Sequence, residues 1–455
     1  MKIKIPGSKK EKRIRTPIDE VIPTVVLEEP NPIAGAVQSG KTLCPYCSSS
    51  DFVRRGTRKK KHERVQLYLC RNEGCKRTFT SEESKGRRYP IKLVIEGMSY
   101  YNLGFTLKQT CTILKQKFKA APDEQSLAKW IEQYKSLCRY ERMRPYAVKM
   151  YKPLNVIECV TLVHKQLYNF RYHRAKIRFM LEEYKNRDFR PLKDFLDSVA
   201  SETPHQQFLE GERMSEIRSK FGTADMVVKS KKNYANYLAD FALKGARSNK
   251  LRHDTVQRFM IANDSVTVAT EVPVTIRKED IEHMQKQLGF EIVGEEGISF
   301  RRRASREAQK EKRRKNASAD VATGVSPLVS GKRNGISTKG NFGSGKAQLP
   351  KLLTGHIDLI KIRNGAIHIL DYKPNAAKER PIEQLTWYAL ALSRLTGLRV
   401  FCFKCAWFDE KDYFEFFPLH VVKKLSGKKA GKRRKVEWRD GTKAAIPRFD
   451  TLTIV

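Results

Sequence analysis

Apolar positions along the chain change their period from region to region, and these changes divide it into segments. Helical spacing of three and four dominates from Pro90 to about residue 245 and predicts three short helices before residue 137. From Ser265 the period becomes two, which predicts strands. The pattern stops between residues 300 and 350 and then resumes as far as Val422. The C-terminal part therefore predicts an α+β or α/β core, in which a small mixed sheet is flanked by helices.

Charge narrows the choice of partner. The 455 residues include 90 Lys and Arg against 50 Asp and Glu, a formal charge of +40. A polyanion relieves such self-repulsion, and each phosphate contact releases a condensed counterion, so nucleic acid is the expected partner. No run of 18 apolar residues and no apolar stretch behind the first ten residues occur. We therefore expect no membrane partner and no secretory signal, and a cytoplasmic location, nucleoid-associated if the chain is prokaryotic.

Four of the nine cysteines have the spacing of metal ligands. Cys44 and Cys47 form one pair, and Cys70 and Cys75 form a second pair after a long loop. Two thiolate pairs can close a tetrahedral site, the geometry that zinc prefers, and a module this small needs metal for its stability. The sequence predicts one structural Zn²⁺; four unrelated buried cysteines are the alternative. His62 lies between the pairs, where we expect a surface residue instead of a fifth ligand.

The loop between the cysteine pairs is strongly basic, which predicts contacts with DNA phosphates. Its basic residues are Arg54, Arg55, Arg58, Lys59, Lys60, Lys61 and Arg64. The segment CPYCSSSDFVRRGTRKKKHERVQLYLCRNEGCKRTFT resembles the N-terminal zinc ribbon of transposases. The second cysteine pair departs from that family, because it has the spacing C-x4-C in place of C-x2-C.

The three short helices after the ribbon extend this resemblance to residues 41–137. Thr106 and Gln109 have the spacing of a capping box at the start of the second helix. Asp123 can cap the third helix, which contains Trp130. Helices with these breaks suit a helix-turn-helix whose third member enters the major groove. The alternative is a plain helical bundle that packs on the ribbon.

The segment GHIDLIKIRNGAIHILDYKP (355–374) predicts a hairpin that brings two carboxylates together. Asn364-Gly365 favours a two-residue type I′ turn, which pairs Arg363 with Ala366. Continuing this register sets Asp358 opposite Asp371, about 5 Å apart. Like charges at that distance call for a hard cation such as Mg²⁺ or Mn²⁺. Separate pairing of each aspartate with surface Lys or Arg is the alternative.

These residues and the following helix resemble the RecB-like branch of the PD-(D/E)XK nuclease superfamily. That branch has the motifs Gly-x-x-Asp, Asp-x-Lys and Gln-x-x-x-Tyr. In this chain they correspond to Gly355 with Asp358, Asp371 with Lys373, and Gln384 with Tyr388. The resemblance, over about 250–422, implies that the two aspartates hold Mg²⁺ or Mn²⁺, that Lys373 acts on the attacking water, and that Gln384 and Tyr388 position DNA.

The resemblance also implies a metal-binding histidine on an upstream helix, for which His253 is the candidate. Glu271 in the first strand is the weaker alternative. Related nucleases hold an iron–sulfur cluster with four cysteines, which Cys402 and Cys405 do not supply, so we expect none. Both of these cysteines are predicted to pack in the core.

Together these observations predict a divalent-metal-dependent deoxyribonuclease that acts on duplex DNA. The context expected by analogy is mobile-element, recombination or defence DNA processing. Two alternatives stay open: a non-catalytic DNA-binding regulator with an inactive nuclease-like fold, and a nuclease acting on RNA. The predicted segments are a basic flexible tail (1–40), the zinc ribbon (41–85), the helix-turn-helix-like part (86–140), a helical linker (141–245), the PD-(D/E)XK nuclease domain (246–425) with a mobile basic insertion (300–350), and a basic tail (426–455).

Overall fold

The computed structural model describes most of the chain between residues 43 and 422. The tails predicted at 1–40 and 426–455 lie outside the described residues, and so does the insertion predicted at 300–350, except for Pro350. The described ranges are 43–80, 88–120, 122–217, 220–221, 228–246, 248–290, 292–293 and 350–422.

The cysteine segment folds as a three-stranded antiparallel sheet of β1 (Phe52–Lys59), β2 (Arg64–Cys70) and β3 (Thr78–Thr80). Its apolar core is very small and is built around Tyr68 stacked on Phe79, with ring centroids 5.4 Å apart. So little buried apolar surface cannot offset the chain entropy lost on folding, which is why a cross-link at the cysteines is expected.

Three helices follow the ribbon. They are α1 (Ile91–Asn102), α2 (Leu107–Phe118) and α3 (Glu124–Gln133). The capping box at the start of α2 is confirmed: the Gln109 N–H donates to Thr106 Oγ1 (3.1 Å), and the Thr106 N–H donates to Gln109 Oε1 (2.9 Å). The cap of α3 is confirmed too, since Asp123 Oδ1 accepts from the Ser126 N–H at 2.6 Å.

The middle of the chain alternates between helices and strands. In order, these elements are α4 (Arg144–Met150), β4 (Ile157–His164), β5 (Gln166–His173), α5 (Arg174–Glu182), α6 (Arg190–Glu202), α7 (His205–Glu210), β6 (Glu212–Arg213), β7 (Lys220–Phe221), α8 (Tyr234–Leu243) and α9 (Arg252–Asn263). The helical linker predicted over 141–245 therefore needs correction, because β4, β5, β6 and β7 lie within it. Phe170 and Arg171 are both fully buried, so β5 lacks the apolar–polar alternation of a half-exposed strand.

The last part of the chain contributes most of the central sheet. Its elements are β8 (Thr267–Arg277), α10 (Lys278–Leu288), β9 (Ile292–Val293), β10 (Leu352–Arg363), β11 (Ala366–Tyr372), α11 (Ile382–Thr396), β12 (Phe403–Phe408), β13 (Tyr413–Phe416) and α12 (Pro418–Val422). The strand order is β13-β12-β11-β10-β8-β5-β4, with β6 beside β10. The β11–β12 and β10–β6 pairs are parallel and the other pairs of this sheet antiparallel, which confirms a mixed sheet flanked by helices.

Helices cover both faces of this sheet. On one face, the first cluster joins strand residues such as Ile360 and Ile369 to α6, α10 and α11. On the other, the second cluster joins Leu359, Leu370 and Tyr372 to α1, α8 and α9. The helices after the ribbon thus share a core with the sheet. None of the helices in the described ranges has the length and apolar content needed to cross a bilayer.

The predicted hairpin forms in the predicted register. Asn364 and Gly365 both have positive φ, 53° and 69°, as a type I′ turn requires. The β10–β11 ladder runs from Arg363 opposite Ala366 to Leu359 opposite Leu370. One step further along this register lie Asp358 and Asp371.

A buried ion pair ties the sheet to the end of α9. Asp264 is fully buried, lies 2.9 Å from the Lys361 ammonium, and accepts from the Thr267 hydroxyl at 2.6 Å. Lys176 is buried nearby and donates to the Ile261 carbonyl at 2.6 Å; burial lowers the pKa of Lys176 to about 7. Two lysines therefore depend on one carboxylate for charge compensation.

We predict that Asp264→Ala lowers the free energy of unfolding by about 3–5 kcal/mol, because it leaves Lys361 buried without an anion. Burial alone would raise the pKa of Asp264, but Lys361 and Thr267 outweigh it and lower the pKa. This stabilisation is therefore present above the ordinary carboxyl pKa and is lost as the pH falls through the lowered value. Urea unfolding at pH 7 measures the effect, and Asp194→Ala on the exposed side of α6 is the control. Equal stability of the two variants would contradict the prediction.

Candidate active site

Two carboxylates lie together where the β10–β11 ladder ends. Asp358 Oδ2 accepts from the Tyr372 backbone N–H at 3.0 Å, and the Asp358 carboxylate lies close enough for its charge to raise the pKa of Asp371, to which burial contributes most. Asp371 is only 3% exposed. Its Oδ2 lies 3.0 Å from the Lys373 ammonium nitrogen. The hairpin therefore brings two acids and one base, which are spread over 16 residues, into direct contact.

The two carboxyl groups differ in how readily they hold a proton. Burial, and then the charge of Asp358, raise the pKa of Asp371 well above its usual range. Burial acts on Asp358 in the same direction, but a hydrogen bond and the charge of His253 outweigh it and lower its pKa. The pair thus favours one shared proton over two charges. A divalent cation can replace that proton, so the donor set fits Mg²⁺ or Mn²⁺.

The regular alternation of strand β10 is interrupted at Asp358. Ile357 packs in the first cluster and Leu359 in the second, although residues two apart in a regular strand share one face. Ile360 again packs in the first cluster, so the alternation slips by one residue. Beside this point, Glu271 on β8 has φ of 52°, a left-handed conformation that costs about 1–3 kcal/mol for a residue other than glycine. Strain of this kind is characteristic of functional sites.

Helix α9 contributes two side chains to the same place. His253 Nδ1 lies 3.3 Å from Asp358 Oδ2, and the Gln257 amide, one turn later, donates to Glu271 Oε1 at 2.6 Å. Burial would lower the pKa of His253, but Asp358 outweighs it and raises the pKa. Burial, and then Asp358, raise the pKa of Glu271 to about 7. Glu271, the weaker alternative to His253 in the sequence, thus lies close to Asp358 together with His253.

Helix α11 borders the site on the face of the sheet that carries the first hydrophobic cluster. The Gln384 amide donates to the Tyr388 hydroxyl at 2.8 Å. Burial, and then the charge of Asp371, raise the pKa of Tyr388 well above its usual value. The Tyr388 ring packs on Gly355, where a β-carbon would overlap the ring atom Cε1. Glycine at this position therefore makes room for Tyr388 beside the carboxylates.

Residues 250–410 match the family model of the PD-(D/E)XK nuclease superfamily. The matched residues include all the side chains described above, from His253 to Tyr388. No curated protein and no solved structure matches the chain. Nucleases of this superfamily use divalent metals and act on nucleic acid, so the match suggests a metal-dependent nuclease. The ribbon and the three helices after it lie outside the PD-(D/E)XK match.

The four cysteines of the ribbon converge as a metal site requires. Cys44 Sγ lies 3.6 Å from Cys75 Sγ, and Cys47 Sγ lies 3.5 Å from Cys70 Sγ. All four sulfurs lie within 4.8 Å of one another. Four zinc–sulfur bonds in a tetrahedron place the sulfurs about 3.8 Å apart, so the quartet fits Zn²⁺ despite the longer second loop.

Cys402, Cys405 and His62 pack against other parts of the protein. Cys405 is buried and its thiol contacts the Leu385 carbonyl at 3.4 Å, while Cys402 is half-buried. The His62 ring stacks on Tyr89 with centroids 5.1 Å apart. His62 is half-buried, and this contact joins the ribbon to the segment just before α1.

Basic side chains are displayed on the ribbon and on α2. Six of the seven basic residues predicted to contact DNA are exposed, and Lys60 is half-buried. On α2, Lys108 and Lys115 are exposed two turns apart, and exposed Lys119 follows directly after the last residue of the helix. By contrast, the exposed residues of α3 include two acids, Glu124 and Glu132, against one Lys129. Of these two helices, α2 is therefore the better match for phosphate.

We predict that Gly355→Ala disables the site formed by Asp358, Asp371 and Lys373. The added methyl group displaces the Tyr388 ring, which should lower the free energy of unfolding by about 1–3 kcal/mol and strongly reduce cleavage. Gly74→Ala is the control, because its β-carbon meets nothing closer than 3.6 Å. Wild-type cleavage by Gly355→Ala would show that Tyr388 has no required position.

We predict that the wild-type chain binds one zinc ion and that Cys70→Ala loses it. Removing one of four thiolates opens the tetrahedron. Elemental analysis measures zinc per chain, and Cys111→Ala on α2 is the matched control that keeps the ion. Undiminished zinc in Cys70→Ala would contradict the assignment.

Proposed function

We propose that the protein is a divalent-metal-dependent DNA nuclease that hydrolyses phosphodiester bonds. The observation behind this proposal is the contact of Asp358, Asp371 and Lys373 at the end of one hairpin. Structural ion pairs rarely bury two carboxylates against each other, because their repulsion opposes folding. A site for a cation and a phosphate explains why both are present.

In this proposal Asp358, Asp371 and His253 hold Mg²⁺ or Mn²⁺. The bound ion supplies Lewis acidity towards the phosphate oxygens. The carboxylates, and above all Asp371, outweigh burial and raise the pKa of Lys373, so its ammonium group donates hydrogen bonds. Lys373 therefore orients the attacking water and stabilises charge on the phosphate, in preference to removing a proton itself.

Gln384 and Tyr388 are assigned the task of positioning the substrate strand. The Tyr388 oxygen accepts from Gln384, which directs the remaining hydroxyl proton elsewhere. With the pKa of Tyr388 raised, that proton stays on the oxygen and is free to donate to a phosphate. This pair thus acts as a neutral donor beside the carboxylates.

Duplex DNA is the proposed substrate, held by the exposed basic face of the zinc ribbon. Exposed lysines also lie on α2, which follows the ribbon in the chain. We therefore assign the additional phosphate contacts to α2, and not to α3, the helix expected from the sequence to enter the major groove. The proposed setting is mobile-element, recombination or defence DNA processing in the cytoplasm, at the nucleoid if the chain is prokaryotic. Intact Asp358, Asp371 and Lys373 favour an active nuclease over an inactive regulator.

We predict that Asp371→Asn abolishes cleavage and stabilises the metal-free protein. In the wild type the raised pKa of Asp371 opposes folding at neutral pH, since folding must bury a carboxylate against Asp358 or take up a proton. The substitution removes that cost together with a metal ligand. Its melting temperature without metal should therefore rise, and the further rise on adding Mg²⁺ should vanish.

Lys373→Met separates the two roles, because it should abolish cleavage while keeping the Mg²⁺-induced rise. The assay uses linear, circular and branched DNA and single-stranded RNA, with Mg²⁺, Mn²⁺ or EDTA. Cleavage by Asp371→Asn at the wild-type rate would defeat the mechanism. If the wild type cuts RNA alone, the substrate is RNA and not DNA. If it binds DNA and cuts nothing, the result supports the alternative of a non-catalytic DNA-binding regulator.

A further inference from the structure

Three histidines from distant parts of the chain form a hydrogen-bonded row beside the proposed active site. His164 Nδ1 lies 2.8 Å from His356 Nε2, and His164 Nε2 lies 2.9 Å from His205 Nδ1. The row begins at exposed His205, passes through His164, which is 2% exposed, and ends at half-buried His356. His356 lies on β10, two residues before Asp358.

Aromatic rings hold this row in place. Tyr168 stacks on His356 with ring centroids 3.5 Å apart and planes 6° apart. Phe208 stacks on His164 at 4.0 Å and 9°. Each ring-to-ring contact joins one N–H donor to one bare ring nitrogen, so a row of neutral imidazoles satisfies both contacts. Each neutral imidazole offers one donor and one acceptor.

The hydrogen bonds leave one nitrogen of His356 available. Its Nε2 is occupied by His164, and within the described ranges no hydrogen-bond partner faces Nδ1. If Nδ1 bears the proton, Nε2 accepts from His164 Nδ1, and His164 Nε2 in turn accepts from His205 Nδ1. The reverse arrangement, in which His356 Nε2 and His164 Nε2 both donate, satisfies the same two contacts. An anion beside Nδ1 favours the first arrangement, in which His356 presents an N–H group.

Arg213 adds a positive charge at the same end of the row. It lies on β6, opposite Thr354 of β10, two residues before His356. Burial raises the pKa of Tyr168, and the Arg213 charge partly offsets this effect, so the guanidinium acts on the ring that stacks on His356. Its ion pair with Glu216 is long, at 3.6 Å, and the Glu216 side chain is 69% exposed, so the guanidinium can readily bind another anion.

We propose that His356 and Arg213 bind a nucleic-acid phosphate next to the scissile one, with His164 and His205 as positioning residues. Two residues of a strand span about 6.6 Å, which separates this subsite from Asp358. Successive phosphates rise about 3.4 Å along one strand, so the bound group is one or two nucleotides from the cut. The inference rests on the proposed nuclease function and adds a determinant of where the strand is cut.

Three variants of the full chain and one control test this subsite. Arg213→Gln and His356→Leu remove the donors, whereas His356→Asn keeps an N–H group near the position of Nδ1. Arg187→Gln, on a turn beside Gly365 at the far end of the hairpin, is the control. Arg213→Gln and His356→Leu should raise KM about tenfold or more with little change in kcat, because each loses a hydrogen bond to a charged group. His356→Asn should restore most of the loss.

A phosphate-specific readout excludes a merely structural role. Single neutral methylphosphonate linkages are placed one and two nucleotides to either side of the mapped cut in a DNA duplex. At one of these positions the neutral linkage should raise KM for the wild type and for Arg187→Gln but add little for Arg213→Gln. Matched ends with a 5′-phosphate or a 5′-hydroxyl group distinguish a terminal phosphate from an internal one.

Each outcome decides the matter. A neutral linkage whose effect persists in Arg213→Gln at all four positions overturns the subsite while leaving the nuclease intact. The same holds if His356→Leu lowers only the melting temperature. A wild type that neither binds nor cuts DNA or RNA overturns the proposed function, and the subsite with it. Loss of the linkage effect in Arg213→Gln alone supports the subsite.

Discussion

The repulsion between two aspartates at the end of one hairpin is the constraint around which the site is arranged. Asp358 and Asp371 are held together by a tight turn and a five-pair ladder, so neither can move away without breaking the strand pairing. Two basic side chains lie next to the pair: His253 beside Asp358 and Lys373 beside Asp371. The same repulsion favours one proton on the pair over two charges, and a divalent cation can replace that proton.

Helix α9 connects this site to the three helices that follow the ribbon. One end of α9 presents His253 to Asp358, and the other end presents Asn263, which accepts from the Asn102 amide of α1 at 2.8 Å. Because α1 is buried between the sheet and the remaining helices, the ribbon docked on those helices has a defined position relative to the carboxylates. In the proposed function, phosphate binding at the ribbon would therefore determine which bond reaches the site.

Local patterns explain why part of this arrangement is predictable from the sequence. Asn364-Gly365 specifies the turn, the turn specifies the register, and Thr106 and Asp123 specify helix starts, since each acts through its own neighbours in the chain. Strand β5 was missed because burial of both faces removes the alternation that marks a strand. The positive φ of Glu271 and the row of three histidines were missed because both arise from contacts between segments far apart in sequence.

The basic residues proposed to bind nucleic acid and the acidic residues proposed to cleave it lie in different parts of the chain. The chain is strongly basic, yet its proposed catalytic centre gathers three acidic residues, Glu271, Asp358 and Asp371, which repel phosphate when they are uncompensated. In the proposed function, basic residues on the ribbon and α2 attract nucleic acid whether or not a divalent ion occupies the carboxylates, because they act at a distance from them. A phosphate would enter the centre only when a cation offsets the charges of the carboxylates. Under this proposal recognition and catalysis depend on different groups, and only catalysis requires the divalent ion.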